Sequence, residues 1–379
     1  MLLYIHVPFC RRKCRYCAFA SGPYSRKGMQ TYVDLLLQEL CFWSERLEHP
    51  TIETIYFGGG TPSLLWAQDI ERILTTIFMR FQVLPGAEIT LEANPESAND
   101  TTYLQSLHDL GVNRLNVGVQ SLDSHLLAIL GRLHTPDQAI QTLDKARTAG
   151  FTNIGLDFIW GIPGQSLNQW LDQLETIARL KPDHLSCYGL TIEPGTPLER
   201  DIQAEKIMLP AEDTQSAMFL EGSALLGAHG YDHYEISNFC LPDRHSHHNT
   251  GYWQGMDYLG VGPAAVSTIS HNRWTHPHDL ESYALSLQNR QLGANREVLA
   301  GSTLTNEQIM LSLRTSKGLG LDLLRAHRSE QEAQQLDCLI ESLCQHGLAT
   351  IKDAFLGLTP EGMLVSNTII SEFLIQEAN

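Results

Sequence analysis

Short strand-like runs and amphipathic stretches alternate along the first half of the chain. Leu2–Val7, Thr54–Phe57, Glu88–Ala93, Asn113–Val119, Thr152–Trp160 and His184–Leu190 read as strands. Between them the apolar positions recur at helical spacing. Met29–Leu47 places Leu35, Leu36, Leu40 and Phe42 in such a pattern, and Asp69–Phe81 follows. Asn99 is placed to cap a helix through Leu110. Thr135-Pro136 reads as an N-cap followed by proline at the first helical position, opening a helix to about Thr148. Ser166 with Gln169 three residues on forms a capping-box pattern for a helix to Leu180. Six strand–helix units of about 30 residues predict parallel strands with right-handed crossovers. Six are too few for a closed eight-stranded barrel. The expected fold is therefore α/β, an open partial (β/α)6 barrel, whose functional residues belong at the C-terminal ends of the strands.

The pattern changes after about residue 200. Residues 204–229 read as helical, and a loop region rich in glycine, histidine and aromatics runs to about 275. Thr305–Leu313, Leu319–His327 and Glu330–Gln345 read as helices, the last with Leu336, Leu339, Ile340 and Leu343 at helical spacing. Residues 347–351 and 354–358 then predict a two-stranded wing, followed by a helix from Pro360. The expected organisation is a partial barrel over 1–200, an extension over 201–300 and a winged-helix-like α+β unit over 301–379.

Composition narrows the setting. The chain has 379 residues and a net charge of −17, which argues against nucleic acid as its main partner. The wing carries Lys352 beside Asp353 and Glu361, so a DNA-binding role for it is weak. No run approaches the roughly 20 apolar residues of a membrane span. The N-terminal apolar segment meets charge at Arg11, too soon for a signal peptide. Three of the eight cysteines cluster, which fits a reducing interior rather than a disulfide framework. A cytosolic location is expected.

The clustered cysteines are Cys10, Cys14 and Cys17, at C-x3-C-x2-C spacing just after the first strand. Three thiolates are one short of a closed zinc site or a closed iron–sulfur cluster. A [4Fe–4S] cluster with one open iron is the direct inference, and Arg11, Arg12, Lys13 and Arg15 would offset its negative charge. A zinc site completed by His6, or plain structural thiols, are the alternatives. Gly58-Gly59-Gly60-Thr61-Pro62 follows the second strand, where glycines expose backbone to a ligand or simply make a turn. Glu92, Gln120, Arg132 and Asp157 fall at or near strand ends. A carboxylate inside an apolar strand costs several kcal/mol unless partnered, so each serves a ligand or a barrel-closing ion pair. A third constellation runs from Tyr234 through His245, His247, His248, Asn249, Tyr252 and Trp253. Imidazole is a common metal and haem-iron ligand, and the flanking aromatics could stack on a flat macrocycle. A polar loop with locally bonded histidines is the simpler reading.

The cysteine spacing, the preceding strand and the following Tyr16 and Phe19 together resemble the radical S-adenosylmethionine (SAM) superfamily. That resemblance implies that Gly59, Gly60 and Thr61 receive the SAM methionine group, whose amino and carboxylate groups would occupy the open iron. By similarity to the coproporphyrinogen-oxidase-like branch, Glu92, Gln120, Arg132 and Asp157 would contact the SAM ribose and carboxylate. Tyr4 would lie near the sulfonium and cluster, Gly161–Gln165 would border the adenine, and Gly262-Pro263-Ala264 would give a further contact through Ala264. His248-Asn249-x-x-Tyr252-Trp253 resembles the HNxxYW motif of the HemW family of haem chaperones, and the resemblance assigns haem to His248, with His245 and His247 weaker candidates. It implies a [4Fe–4S] cluster, SAM and haem as cofactors, and haem-accepting apoproteins as partners. Those include membrane-bound respiratory proteins, so transient contact with the membrane surface is expected, and a homodimer stays open. The related oxidase carries a fourth cysteine two residues after the third, where this chain has Phe19, and a segment before its cluster. Both differences point away from oxidase chemistry, and nothing in the residues requires that a radical reaction run.

Overall fold

The computed structural model describes residues 1–326 and 328–375. Six parallel strands pair in chain order: β1 (Leu2–Val7), β2 (Thr51–Gly59), β3 (Gln82–Ala93), β4 (Arg114–Gln120), β5 (Ile154–Trp160) and β6 (His184–Gly189). Each step is bridged by helix: α1 (Arg26–Arg46), α2 (Ala67–Arg80), α3 (Thr101–Asp109), α4 (Ser124–Leu130) with α5 (Pro136–Thr148), and α6 (Leu167–Leu180). Sequential parallel order with helical crossovers is what an apolar sheet needs to cover its outer face. The hydrophobic core lies there, with Ile5, Phe57, Leu91, Val117 and Leu156 packed against Leu36, Ile73, Leu143 and Leu174.

The expected capping boxes form at Thr135/Gln138 and Ser166/Gln169. Asp100, not Asn99, caps α3, its side chain accepting from Thr102 N. Asn99 instead accepts from Lys145 Nζ at 2.6 Å, tying α3 to α5.

The sheet does not close, and here the structure departs most from expectation. The stretch read as loop to 275 adds strands to both edges. Tyr258–Val261 pairs parallel with β1, and Val266–Ile269, Asn272–Thr275 and Glu297–Val298 continue it antiparallel. Asn238–Cys240 and Asp232–Glu235 extend the β6 edge. These strands are of four residues or fewer, too short for periodicity to reveal. The same stretch holds the helix His247–Trp253. Of residues 204–229, Glu212–Ala228 is helical, and a separate short helix, Pro197–Gln203, precedes that stretch.

The C-terminal unit has its own apolar cluster around Ile309, Leu313, Leu336, Ile340, Leu356 and Phe373. Its wing, Ala349–Lys352 against Phe355–Leu358, forms as expected, and Leu319–Gly320 adds a third strand. That strand replaces the first turn of the predicted Leu319–His327 helix, which spans Leu321–Arg325. His327 lies outside the described residues.

Candidate functional site

The cysteine loop is pinned at both ends. Phe9–Cys10 pairs with Gly22–Pro23, and Tyr24 N donates to Cys10 O at 3.0 Å. Within it, Cys17 N donates to Cys14 O at 3.3 Å, and Lys13 Nζ donates to Phe19 O at 3.0 Å. Arg15 is drawn away from the sulfurs into an ion pair with Asp201. The cation that reaches a sulfur is Arg132, whose Nη1 lies 3.4 Å from Cys14 Sγ. All three cysteines are partly exposed and face one cavity. His6 is not a spare fourth ligand. Its Nε2 lies 2.8 Å from Ala20 O and its Nδ1 3.2 Å from Tyr4 OH, so both ring nitrogens are occupied. Three sulfurs, no fourth donor among the described residues and one adjacent guanidinium fit a [4Fe–4S] cluster with an open iron.

The cavity holds about 400 Å³ and runs from the cysteine loop across the C-terminal ends of β2–β6, the expected position for such a fold. Gly59, Gly60, Thr61, Glu92, Gln120, Arg132 and Asp157 all line it. Gly59 has φ +106°, and a Cβ on Gly60 would sit 2.6 Å from Phe9 O and 2.8 Å from Val7 O. Only glycine lets this strand end press against the cysteine loop. Tyr4, Ala264 and the loop Gly161–Gln165 are not in the lining. Tyr4 is half-buried, its ring centroid 6.1 Å from that of Tyr56. Gln165 Oε1 accepts from Ile162 N at 3.2 Å, closing that loop on itself, and Ile159, Leu190 and Thr191 border the cavity instead.

Glu92, Asp157 and Glu193 line this space. Burial pushes Glu92 up to about 7, although Tyr56 OH (2.8 Å) and Gly59 N (3.2 Å) donate to it and Asp157 adds repulsion. Burial also raises Asp157, against hydrogen bonds from Ser186 and from Asn116 Nδ2 at 2.8 and 2.7 Å. Arg132 Nη2 donates to Asn94 Oδ1 at 2.5 Å and Gly118 O at 2.7 Å, and Asn94 Nδ2 donates to Thr61 Oγ1 at 3.1 Å. Asn94 thus links the glycine shelf to the cation on Cys14. Sequence reading missed Asn94, Asn116, Tyr56 and Tyr188. The signal was the two-residue period: Asn94 follows Glu92 by two, and Asn116, Gly118 and Gln120 share one face of β4. A cavity with three carboxylates, the Arg132 guanidinium and exposed glycine backbone complements a ligand bearing a cationic centre, hydroxyls and a carboxylate.

His248 lies elsewhere. It is 1 % exposed, its Nδ1 lies 2.7 Å from Thr54 Oγ1, and its ring stacks on Tyr56 at 4.8 Å. Burial lowers its pKa to about 3. Nε2 is buried without a hydrogen-bond partner among the described residues. Glu88 accepts from the backbone N of His247 and His248 at 3.0 Å each, fastening this helix inside the sheet.

The radical SAM superfamily domain matches residues 4–177, and the HemN C-terminal domain matches residues 301–365. The fold and the cysteine-bearing cavity therefore define a radical SAM protein of the HemN type, which takes a [4Fe–4S] cluster and SAM. The crystal structure of coproporphyrinogen III oxidase (HemN) from Escherichia coli superposes with a TM-score of 0.82 at 25% identity, covering 98% of this chain and 90% of that one. Heme chaperone HemW from Mycobacterium tuberculosis is 33% identical over 98% of this chain and 94% of its own length. Heme chaperone HemW from Lactococcus lactis is 31% identical over 99% and 98%. The chain belongs to the HemW family.

Proposed function

We propose that this chain is a haem chaperone that binds haem, a [4Fe–4S] cluster and SAM, and delivers haem to apoproteins such as respiratory haem proteins. The observation that carries the reading is the end-to-end match to curated haem chaperones, at 33% identity over 98% of the chain. The cavity supports it at the level of residues. Cys10, Cys14 and Cys17 would hold the cluster. Gly59 and Gly60 would meet the SAM methionine group, Arg132 its carboxylate, and Glu92, Asp157 and Gln120 its hydroxyls. When bound, the cluster supplies a low-potential electron and an open iron site for SAM. The chain's own residues would hold that ligand, neutralise charge on Cys14 through Arg132 and present Glu92, pushed up to about 7 by burial, as an acceptor for a hydroxyl.

A second reading, oxygen-independent coproporphyrinogen III oxidase, is favoured by the structural superposition on HemN. It has less support, because Phe19 stands at the fourth-cysteine position and is 66% exposed at the cavity rim. The separate C-terminal cluster supports a unit over 301–379, with 1–200 and 201–300 as the barrel and its extension. No helix among the described residues is long and apolar enough to cross a membrane. A cytosolic protein that touches the membrane surface when a recipient requires it fits this reading, and self-association into a homodimer belongs to it as a proposal.

The test is anaerobic. The cluster-loaded protein receives SAM, a low-potential reductant and coproporphyrinogen III, and the porphyrinogens are followed by mass, beside a hemin titration. Saturable hemin binding without decarboxylation is expected. Loss of two carboxylates per substrate would replace the chaperone reading with the oxidase one.

A further inference from the structure

The helix His247–Trp253 has a second face. His248 turns into the sheet, whereas Thr250 and Trp253 line a crevice of about 570 Å³ on the opposite side. The far wall belongs to the C-terminal unit, with Lys317, Leu323 and Phe355. The walls are fixed by backbone pairing. Ile236 N donates to Arg314 O at 2.9 Å, Ser316 N donates to Tyr234 O at 3.0 Å, and Glu235 bridges Thr315. No closure is needed to form the site.

Its chemistry is selective. His245 is half-buried, edge-on to Tyr234 with ring centroids 4.6 Å apart. Neither of its ring nitrogens makes a hydrogen bond among the described residues. Thr250 Oγ1, in the same wall, is enclosed without a partner among them. Lys317 is exposed at the rim, its Nζ 5.4 Å from the Phe355 ring centroid. The chain carries 43 acidic residues, yet no Asp or Glu lines this crevice. A flat apolar ligand with anionic edges and a metal seeking an imidazole matches that lining. Such a volume is typical of small-molecule sites.

We propose that this crevice between the HNxxYW helix and the C-terminal unit is the haem site, with His245 as axial ligand, Trp253 and Phe355 against the macrocycle and Lys317 on a propionate. The proposal rests on the haem-chaperone reading and departs from it in the ligand. His248 is 1 % exposed between Tyr56 and Tyr252, so a macrocycle has no path to its Nε2 while the helix stays docked. His247 does not line the crevice.

The experiment is a hemin titration of the full cluster-loaded chain, read in the Soret band, for wild type, His245→Ala, Lys317→Glu and Phe355→Ala. Wild type should bind one hemin with an imidazole-ligated spectrum. His245→Ala should bind about ten-fold more weakly, with free imidazole restoring the spectrum. Lys317→Glu should weaken binding several-fold and reduce its salt dependence. If wild type binds no hemin, the chaperone reading itself fails. If it binds and all three variants match it in affinity and spectrum, the crevice is overturned and the reading stands. Lys317 and Phe355 are partly or fully exposed, so those two variants decide the matter even if His245→Ala misfolds.

Discussion

The interior of the sheet is polar at two places, and the same kinds of residue do opposite work in them. At the C-terminal ends of the strands, Glu92, Asp157 and Arg132 are held by neighbours yet still face about 400 Å³ of open cavity. Toward the other end, Thr54, Glu88 and His248 face one another, and the helix His247–Trp253 fills the space. Buried polar groups cost free energy unless paired. The first group leaves part of that cost for a ligand to offset, and the second settles most of it within the protein, with His248 Nε2 left unpartnered among the described residues. Proximity to a motif therefore says little about role. What separates the two is whether the polar groups face open space or packed protein.

The comparison is broken most sharply by substitutions at either end. Cys14→Ala should abolish cluster absorbance after anaerobic reconstitution, while shifting the unfolding midpoint of the cluster-free protein by under about 1 kcal/mol. His248→Ala should do the reverse. It leaves a void against Tyr56 and Tyr252 and strips Thr54 of its partner, costing on the order of 3–4 kcal/mol in urea unfolding with cluster loading intact. It should also flatten the acid limb of stability. With its folded pKa near 3 against an ordinary 6.5, His248 takes up a proton more readily when unfolded, so stability falls as pH drops from 6.5 toward 3. A variant that keeps full stability but loses the cluster would show that His248 serves the mouth after all.

The mouth was legible because its residues announce themselves locally. Three cysteines at fixed spacing and three glycines after a strand need no partner from afar to be recognised, and the six β/α units place them at one end. Asn94 and Asn116 act through residues 38 and 41 positions away, Arg132 and Asp157, so beyond the two-residue strand period nothing local marks them. The strands after 230 were hidden by their length. His248 was found as part of a motif, but which way its ring turns depends on Thr54 and Glu88, far along the chain. The absence of Ala264 and Tyr4 from the cavity has the same origin, since their sequence neighbourhoods match while the elements carrying them point elsewhere.

A milder test concerns the carboxylate at the mouth. Glu92 has a folded pKa of about 7 against 4.5, so the folded chain holds a proton that the unfolded chain releases, and stability falls as pH rises from 4.5 through 7. Glu92→Gln removes this dependence. The ligand-free variant should exceed wild type by about 3 kcal/mol at pH 8 and match it near pH 4. Its SAM affinity, by equilibrium dialysis, should fall, because the amide cannot match an ionised acceptor. Equal stability at both pH values would mean that Glu92 is ionised in the free protein.

The smallest effect belongs to the carboxylate at the closed end. Glu88 accepts two backbone N–H bonds at the start of a seven-residue helix, offsetting the positive end of its dipole. Glu88→Gln keeps one acceptor and turns an amide NH2 toward the other N–H, costing about 1 kcal/mol. Because that loss falls on one short helix, it should appear locally: faster hydrogen exchange at residues 247–250, with the amides of β4 and β5 unchanged. Cluster loading should not respond, because the hydrogen bonds of Glu88 go to His247 and His248 and not to the cysteine loop. Hemin release should quicken, since Thr250 and Trp253 hang from the loosened helix. Faster exchange without faster release would detach the crevice from the helix that forms its wall.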